Sequence, residues 1–173
     1  MKRQAIDIEK FVMEPFKQWN KDWLLLTAGD FGARKYNCMV VGWGSLGTMW
    51  NMPFAQVVVR PSRHTLEFMD KYSTFTLCGF PEAQRQALQL LGSTSGKDGN
   101  KIAKSGLTPM ASLKADAPSY EEASLVIECR KMYRDRLDPA GFLHAGIAKN
   151  YAAKDYHVVF FGEVLSVSAA HAL

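Results

Sequence analysis

The chain has 173 residues, 47% of them hydrophobic and 22% charged, which is enough for one domain with its own core and excludes a disordered tail protein. No uninterrupted apolar run reaches the ~18 residues of a membrane-spanning helix. Met1-Lys2-Arg3-Gln4 leads into Asp7, Glu9 and Lys10 rather than into a secretory leader, so a single domain over residues 1–173 in the cytoplasm, with no membrane partner, is expected.

The formal charge of +4 is scattered: eleven Lys and Arg stand against eight Asp and Glu in residues 1–92, and ten against nine thereafter. That distribution suits a small anionic ligand, and it lacks the concentrated stripe of a nucleic-acid binder. Cys38, Cys78 and Cys129 are odd in number and far apart, and His64, His144, His157 and His171 share no ligand spacing. Neither a disulfide framework nor a metal site is expected, and the cysteines read as buried packing residues.

In chain order, Asp22-Trp23-Leu24-Leu25-Leu26-Thr27 reads as an apolar strand closed by a turn at 28–32. Residues 37–45 form a second strand, in which Met39, Val41 and Trp43 alternate with Cys38, Val40 and Gly42. Its two glycines mark a bulge or a place where another molecule approaches the backbone. Residues 54–60, stopped by Pro61, and 74–80 are the third and fourth strands, with a short helix over 62–70 between them, capped by Ser62 or Thr65. A clearer helix spans 81–91, with Pro81 at its start and Gly92 just beyond its end. The stretch 93–99 is polar and turn-rich, and 100–104 resumes helical spacing. Residues 123–132 and 157–168 are strand-like and flank a helix or structured loop at 139–151. Strands first, helices in the middle and strands again predict antiparallel β with peripheral helices, and a partly open barrel that removes sheet edges.

No nucleophile elbow, P-loop, dinucleotide fingerprint or zinc-protease motif is present, so catalysis would rest on a cofactor. Three segments suit a flat, anionic ligand. Arg60-Pro61-Ser62-Arg63-His64-Thr65 sits where a strand hands over to a helix, and its guanidinium groups, hydroxyls and helix-start amides suit a phosphate. From local sequence alone it reads more readily as a capping turn with solvated arginines. Ser95-Gly96-Lys97-Asp98, with Lys101, lets backbone amides and lysines converge on an anion, or is a solvated loop. Met39, Trp43, Trp50 and Met52 offer an apolar wall for a conjugated ring, or are core.

Taken together, these segments resemble the flavin reductase-like family, in its flavoredoxin branch. The resemblance rests on Asn37-x-Met39 with Trp43-Gly44, on Arg60-Pro61-x-Arg63-x-Thr65, on Ser95-Gly96-Lys97-Asp98 with Lys101, and on Asp155-x-His157 followed by Gly162-Glu163-Val164. It implies an antiparallel six-stranded Greek-key split barrel, a homodimer, and FMN bound near the subunit interface. It implies further that Asn37, Cys38, Met39, Val40 and Trp43 run beside the flavin ring. Arg60, Ser62, Arg63, Thr65, Ser95, Gly96, Lys97, Asp98 and Lys101 would then form the phosphate side. His157, the candidate catalytic residue, matches the family's histidine on the nicotinamide side of the flavin, although here Tyr156 is inserted before it and no glycine is present.

An FMN-dependent oxidoreductase is therefore expected, with NAD(P)H as reductant and a small molecule or a protein as electron acceptor. The alternative is an FMN electron carrier reduced by a partner protein. A third reading, a basic binding module, would use Arg130, Lys131, Arg134 and Arg136, with Asp135 and Asp138 offsetting their charge.

Overall fold

Ten strands form among residues 2–170, the range described by a computed structural model of the chain; Met1 and residues 171–173, with His171, lie outside it. The strands are β1 (Gln4–Ile6), β2 (Leu24–Asp30), β3 (Lys35–Val41), β4 (Gly44–Met49), β5 (Met52–Val59), β6 (Thr74–Gly79), β7 (Pro109–Met110), β8 (Ser119–Tyr120), β9 (Leu125–Arg136) and β10 (Val158–Ala169). The helices are α1 (Pro15–Lys17), α2 (Thr65–Lys71), α3 (Arg85–Ser93) and α4 (Lys101–Ser105).

Eight strands share one antiparallel sheet in the order β3-β2-β6-β9-β10-β5-β4, with β1 added on β10, while β7 and β8 pair separately. The strands at the two ends of this order, β3 and β4, are consecutive in the chain and joined only by Gly42 and Trp43. In a flat sheet they would lie about 29 Å apart. The Val41-to-Gly44 step reaches at most ~11 Å. The sheet therefore curls until its edges meet, and the result is a barrel split along a seam.

The apolar run at the start of β2 follows from this curl. Leu24, Leu26 and Ala28 face the barrel interior with Val57, Phe75, Leu77, Ile127 and Phe160. Leu25 faces outward into a second cluster with Cys38, Cys78 and the helix residues Ala87, Leu88, Leu91 and Ile102. Both faces are buried, so the strand shows no polar alternation.

The expected class holds, with eight strands in the main sheet where six are expected. The two additional strands have separate origins. The expected strand 37–45 breaks at Gly42-Trp43 because its halves pair at opposite edges of the sheet, β3 with β2 and β4 with β5. The short β1, which no alternation announces, pairs with the end of β10. The turn expected at 28–32 falls later, because β2 continues to Asp30. Gly29, at φ +135°, sits opposite Tyr36, where an added Cβ would collide with the Lys35 carbonyl and the Tyr36 backbone.

Helix α2 begins at Thr65 with His64 as the residue before it, and neither Ser62 nor Thr65 caps it. Helix α3 runs past Gly92 to Ser93. Its last carbonyls are satisfied by side chains: Ser93 Oγ donates to Gln89 O at 2.8 Å, Arg63 Nη1 to Gly92 O at 3.1 Å and Lys101 Nζ to Leu91 O at 2.9 Å. Cations there also suit the helix dipole. Two 3-10 turns, Pro139–Gly141 and Ala145–Tyr151, occupy the stretch expected as helix or structured loop.

Candidate functional site at the barrel seam

The link between the two edge strands forms one wall of a cleft. Met39 to Trp43 line it with Val58 and Arg60 at the end of β5, Arg63 before α2, and His157 before β10, enclosing about 180 Å³. A larger groove of about 610 Å³ opens farther along β3, between the β2–β3 turn and the 96–102 segment. Phe31, Arg34, Tyr36, Asn37, Gly96 and Lys101 are among its lining residues. Gly92 lies against Val40 of the cleft wall, and Gly96 lines the groove beside Asn37.

The structure brings the separated sequence segments together here through their own polar contacts. Asn37 Nδ2 donates to Thr65 Oγ1 at 3.0 Å, and that hydroxyl donates to the Cys38 carbonyl at 3.0 Å. Thr65 is buried, and its hydroxyl ties β3 to α2. Gly96 lies so close to Asn37 that an added Cβ would collide with Oδ1. Ser95 accepts from Lys97 N at 3.1 Å and caps the Gly96–Asp98 turn. Lys97 reaches Glu67 on α2 at 2.9 Å, and His64 Nδ1 lies 3.2 Å from the same carboxylate. Lys101 is 4% exposed and directs Nζ to the carbonyls of Leu91 and Thr94. Burial and the nearby Arg63 charge lower its pKa from the usual lysine value. Ser62 and Asp98 are exposed, and neither lines the cleft or the groove.

On the other side of the seam, Arg60 donates to Asp155 at 2.8 Å and to the Asn150 carbonyl at 3.0 Å, and it lies over the Tyr151 ring. That guanidinium holds the Asp155 carboxyl below its ordinary pKa. His157 is buried, with its ring 5.1 Å from that of Trp43. Burial, reinforced by Arg60, lowers its pKa to about 4, so the ring is neutral.

Burial drives the Cys38 and Cys78 thiols up to about 11 and about 12, and Cys129 further still. All three are inert packing residues, as expected. Trp43 differs from the core apolar residues at 49% exposure, and offers a face to the cleft.

Three of the four cations of β9 are engaged elsewhere. Arg130 Nη2 meets Glu163 at 2.6 Å, Arg134 meets Asp70 at 2.8 Å, and Lys131 donates to the Met69 carbonyl. Among the described residues, no group of three or more His, Cys, Asp or Glu side chains is arranged to hold a metal ion, and no helix is long and apolar enough to cross a membrane.

Three site residues were not singled out from sequence: Glu67, Tyr151 and Asp155 as the partner of Arg60. Asp155 and Arg60 are 95 positions apart, and the antiparallel pairing of β5 with β10 brings them together. Tyr151 carries a faint signal, as an aromatic residue closing the stretch 139–151, six positions before His157.

Residues 22–173 match the family model described as "Flavin reductase like domain". No curated protein matches the chain. Among solved structures, an FMN-binding domain of a flavin reductases-like enzyme from Shewanella baltica OS155 is similar, at 22% identity and TM-score 0.69, over 97% of this chain and 77% of that one. Flavoredoxin of Desulfovibrio vulgaris (Miyazaki F) is similar at 21% identity and TM-score 0.67, over 89% and 72%. An NADH:FAD oxidoreductase of Streptomyces globisporus C-1027 is similar at 13% identity and TM-score 0.65, over 86% and 75%. At these identities the likeness is one of fold.

Proposed function

The chain belongs to the flavin reductase-like family, and from this we propose that it is an FMN-binding oxidoreductase that takes electrons from NAD(P)H and passes them to a second acceptor. The observation that carries the reading is the seam, where two sheet edges, the cations around α2 and α3 and a half-exposed tryptophan meet.

The chemistry of this donor set fits a phosphorylated, flat ring. Arg63 uses one N–H on Gly92 O, and Lys101 uses two of three on carbonyls, so both retain donors. Lys97 is held by an ion pair with both partners more than half exposed, a weak contact that a phosphate would displace. Arg63, Lys97, Lys101 and Ser95 would hold the phosphate through charge-assisted hydrogen bonds.

For the ring, β3 is an edge strand, paired with β2. The Cys38 carbonyl points away from β2 to Thr65, so strand alternation puts the Val40 N–H and C=O on that same outer edge, at the cleft. Those groups would meet the polar edge of the ring, with Met39, Trp43 and Val58 as apolar wall. The bound flavin would supply the redox chemistry; the chain binds it, orients it and shields it from water.

The test is a visible spectrum of the purified protein, then FMN titration and anaerobic NADH and NADPH. Flavin uptake and bleaching by either nucleotide are expected. A colourless protein that takes up no FMN overturns the reading, and bound flavin bleached only by a reduced protein partner leaves the carrier alternative.

A homodimer is proposed with it. Trp50 and Asn51 form the tip of the β4–β5 hairpin at φ +54° and +59°, conformations rare for a bulky side chain. Trp50 is 54% exposed beside Phe161 and Tyr133, an apolar patch that suits a protein partner.

A further inference from the structure

We infer that Tyr151 is a positioning residue that holds His157 as the Nε2–H tautomer, so that the seam cleft presents an uncharged hydrogen-bond donor to a carbonyl-type oxygen of the molecule that enters it. The ligand part of this inference rests on the proposed function; the tautomer part does not.

The argument is one of hydrogen-bond satisfaction. Tyr151 Oη lies 2.8 Å from His157 Nδ1, and both residues are buried, at 5% and 7% exposure. Among the described residues, His157 Nδ1 is the hydrogen-bond partner of this hydroxyl. A buried O–H left without an acceptor is costly. The tyrosine must therefore donate, and Nδ1 must accept. A neutral imidazole whose Nδ1 accepts carries its proton on Nε2.

The ring contributes to the cleft wall beside Trp43, and its Nδ1 edge is taken by Tyr151. Nε2, on the opposite edge, is left to face the opening. The rings of Tyr151 and His157 meet at 82°, and Phe142 stacks on Tyr151 at 14°, so the hydroxyl's direction is fixed by packing.

Burial first, and then the surrounding charges, keep the ring neutral. Arg60, at the end of β5, and Arg63, before α2, both disfavour an imidazolium, and Asp155 favours it but is paired with Arg60. A protonated ring would also need Nδ1 as donor, and the tyrosine O–H would lose its acceptor. The cleft thus offers two guanidinium groups and one neutral N–H, a set that selects oxygen acceptors over cationic groups.

The test uses ¹⁵N-labelled full-length protein without flavin. The His157 ring signals are identified by their loss in His157→Gln, and the tautomer is read from the two nitrogen shifts between pH 5 and 8. A protonated Nε2 with an unprotonated, accepting Nδ1 is expected throughout. Finding Nδ1–H in the wild type overturns the inference, and this measurement needs no variant.

Tyr151→Phe, which keeps the ring, is expected to let the minor Nδ1–H tautomer appear and to raise the His157 pKa. An unchanged tautomer population together with an unchanged pKa also overturns the inference. In the FMN-loaded protein, the same variant should raise KM for the nicotinamide substrate several-fold more than it lowers kcat; equal effects would reject the ligand part. Failure to bind FMN at all would sink the proposed function and leave the tautomer result standing.

Discussion

Arg63 and Lys101 act at once as caps of α3 and as donors near the cleft, and the two roles separate in experiment. Replacing Arg63 by Ala removes one hydrogen bond to an exposed helix end, so stability should fall by under about 1 kcal/mol. FMN affinity, by contrast, should fall roughly 10- to 100-fold, as a charged hydrogen bond of about 1.5–3 kcal/mol is lost; flavin titration checks this. His157 makes a pH prediction. Its folded pKa is about 4 against an ordinary 6.5, so the fold favours the neutral ring. Its contribution to stability is whole above about 6.5 and is lost as pH falls through about 4. Unfolding midpoints of wild type and His157→Gln should therefore converge as the pH falls through that window. An unchanged gap would mean that the ring is not buried neutral.

At the scale of the element, α3 shows why a helix boundary is hard to read. Gly92 invited a stop, yet the helix continues to Ser93. The stop is made by Ser93, Arg63 and Lys101 meeting the terminal carbonyls, contacts that join residues up to 29 positions apart. Lys101→Met should cost about 1–3 kcal/mol in urea unfolding, because it strands the buried carbonyl of Leu91. The β2–β3 hairpin teaches the reverse lesson. Gly29 looked like part of a turn but is a strand residue at positive φ, packed against the facing backbone. Gly29→Ala should destabilise by more than about 2 kcal/mol, with backbone strain and overlap adding. A change within about 0.5 kcal/mol would show that the strand shifts freely.

Across the whole molecule, a two-residue link governs the largest feature. Gly42 and Trp43 join the two outer strands, and the barrel, its seam and the cleft follow from that connection. The proposed dimer belongs to this scale. If the Trp50 hairpin tip contacts a second copy, Trp50→Glu should shift the protein from dimer to monomer in light scattering while leaving the isolated fold intact. A wild-type monomer at micromolar concentration would reject the dimer.

The amino-acid order by itself determined the β class, most strand cores and the presence of helices around 62–70 and 81–91, because local alternation and turn chemistry act over a few residues. The segments around Asn37, Arg63 and Ser95 were legible as candidates for the same reason, since each carries its donors within a short stretch. Tertiary structure alone decided that residues 37–45 are two strands at opposite edges, that Arg60 pairs with Asp155, that Glu67 meets Lys97 and that Tyr151 meets His157. The first three depend on which distant elements become neighbours in the fold, and the Tyr151–His157 contact, six positions apart, on how the turn at Ala145–Tyr151 packs against the start of β10; none of them leaves an alternation or capping pattern in the chain.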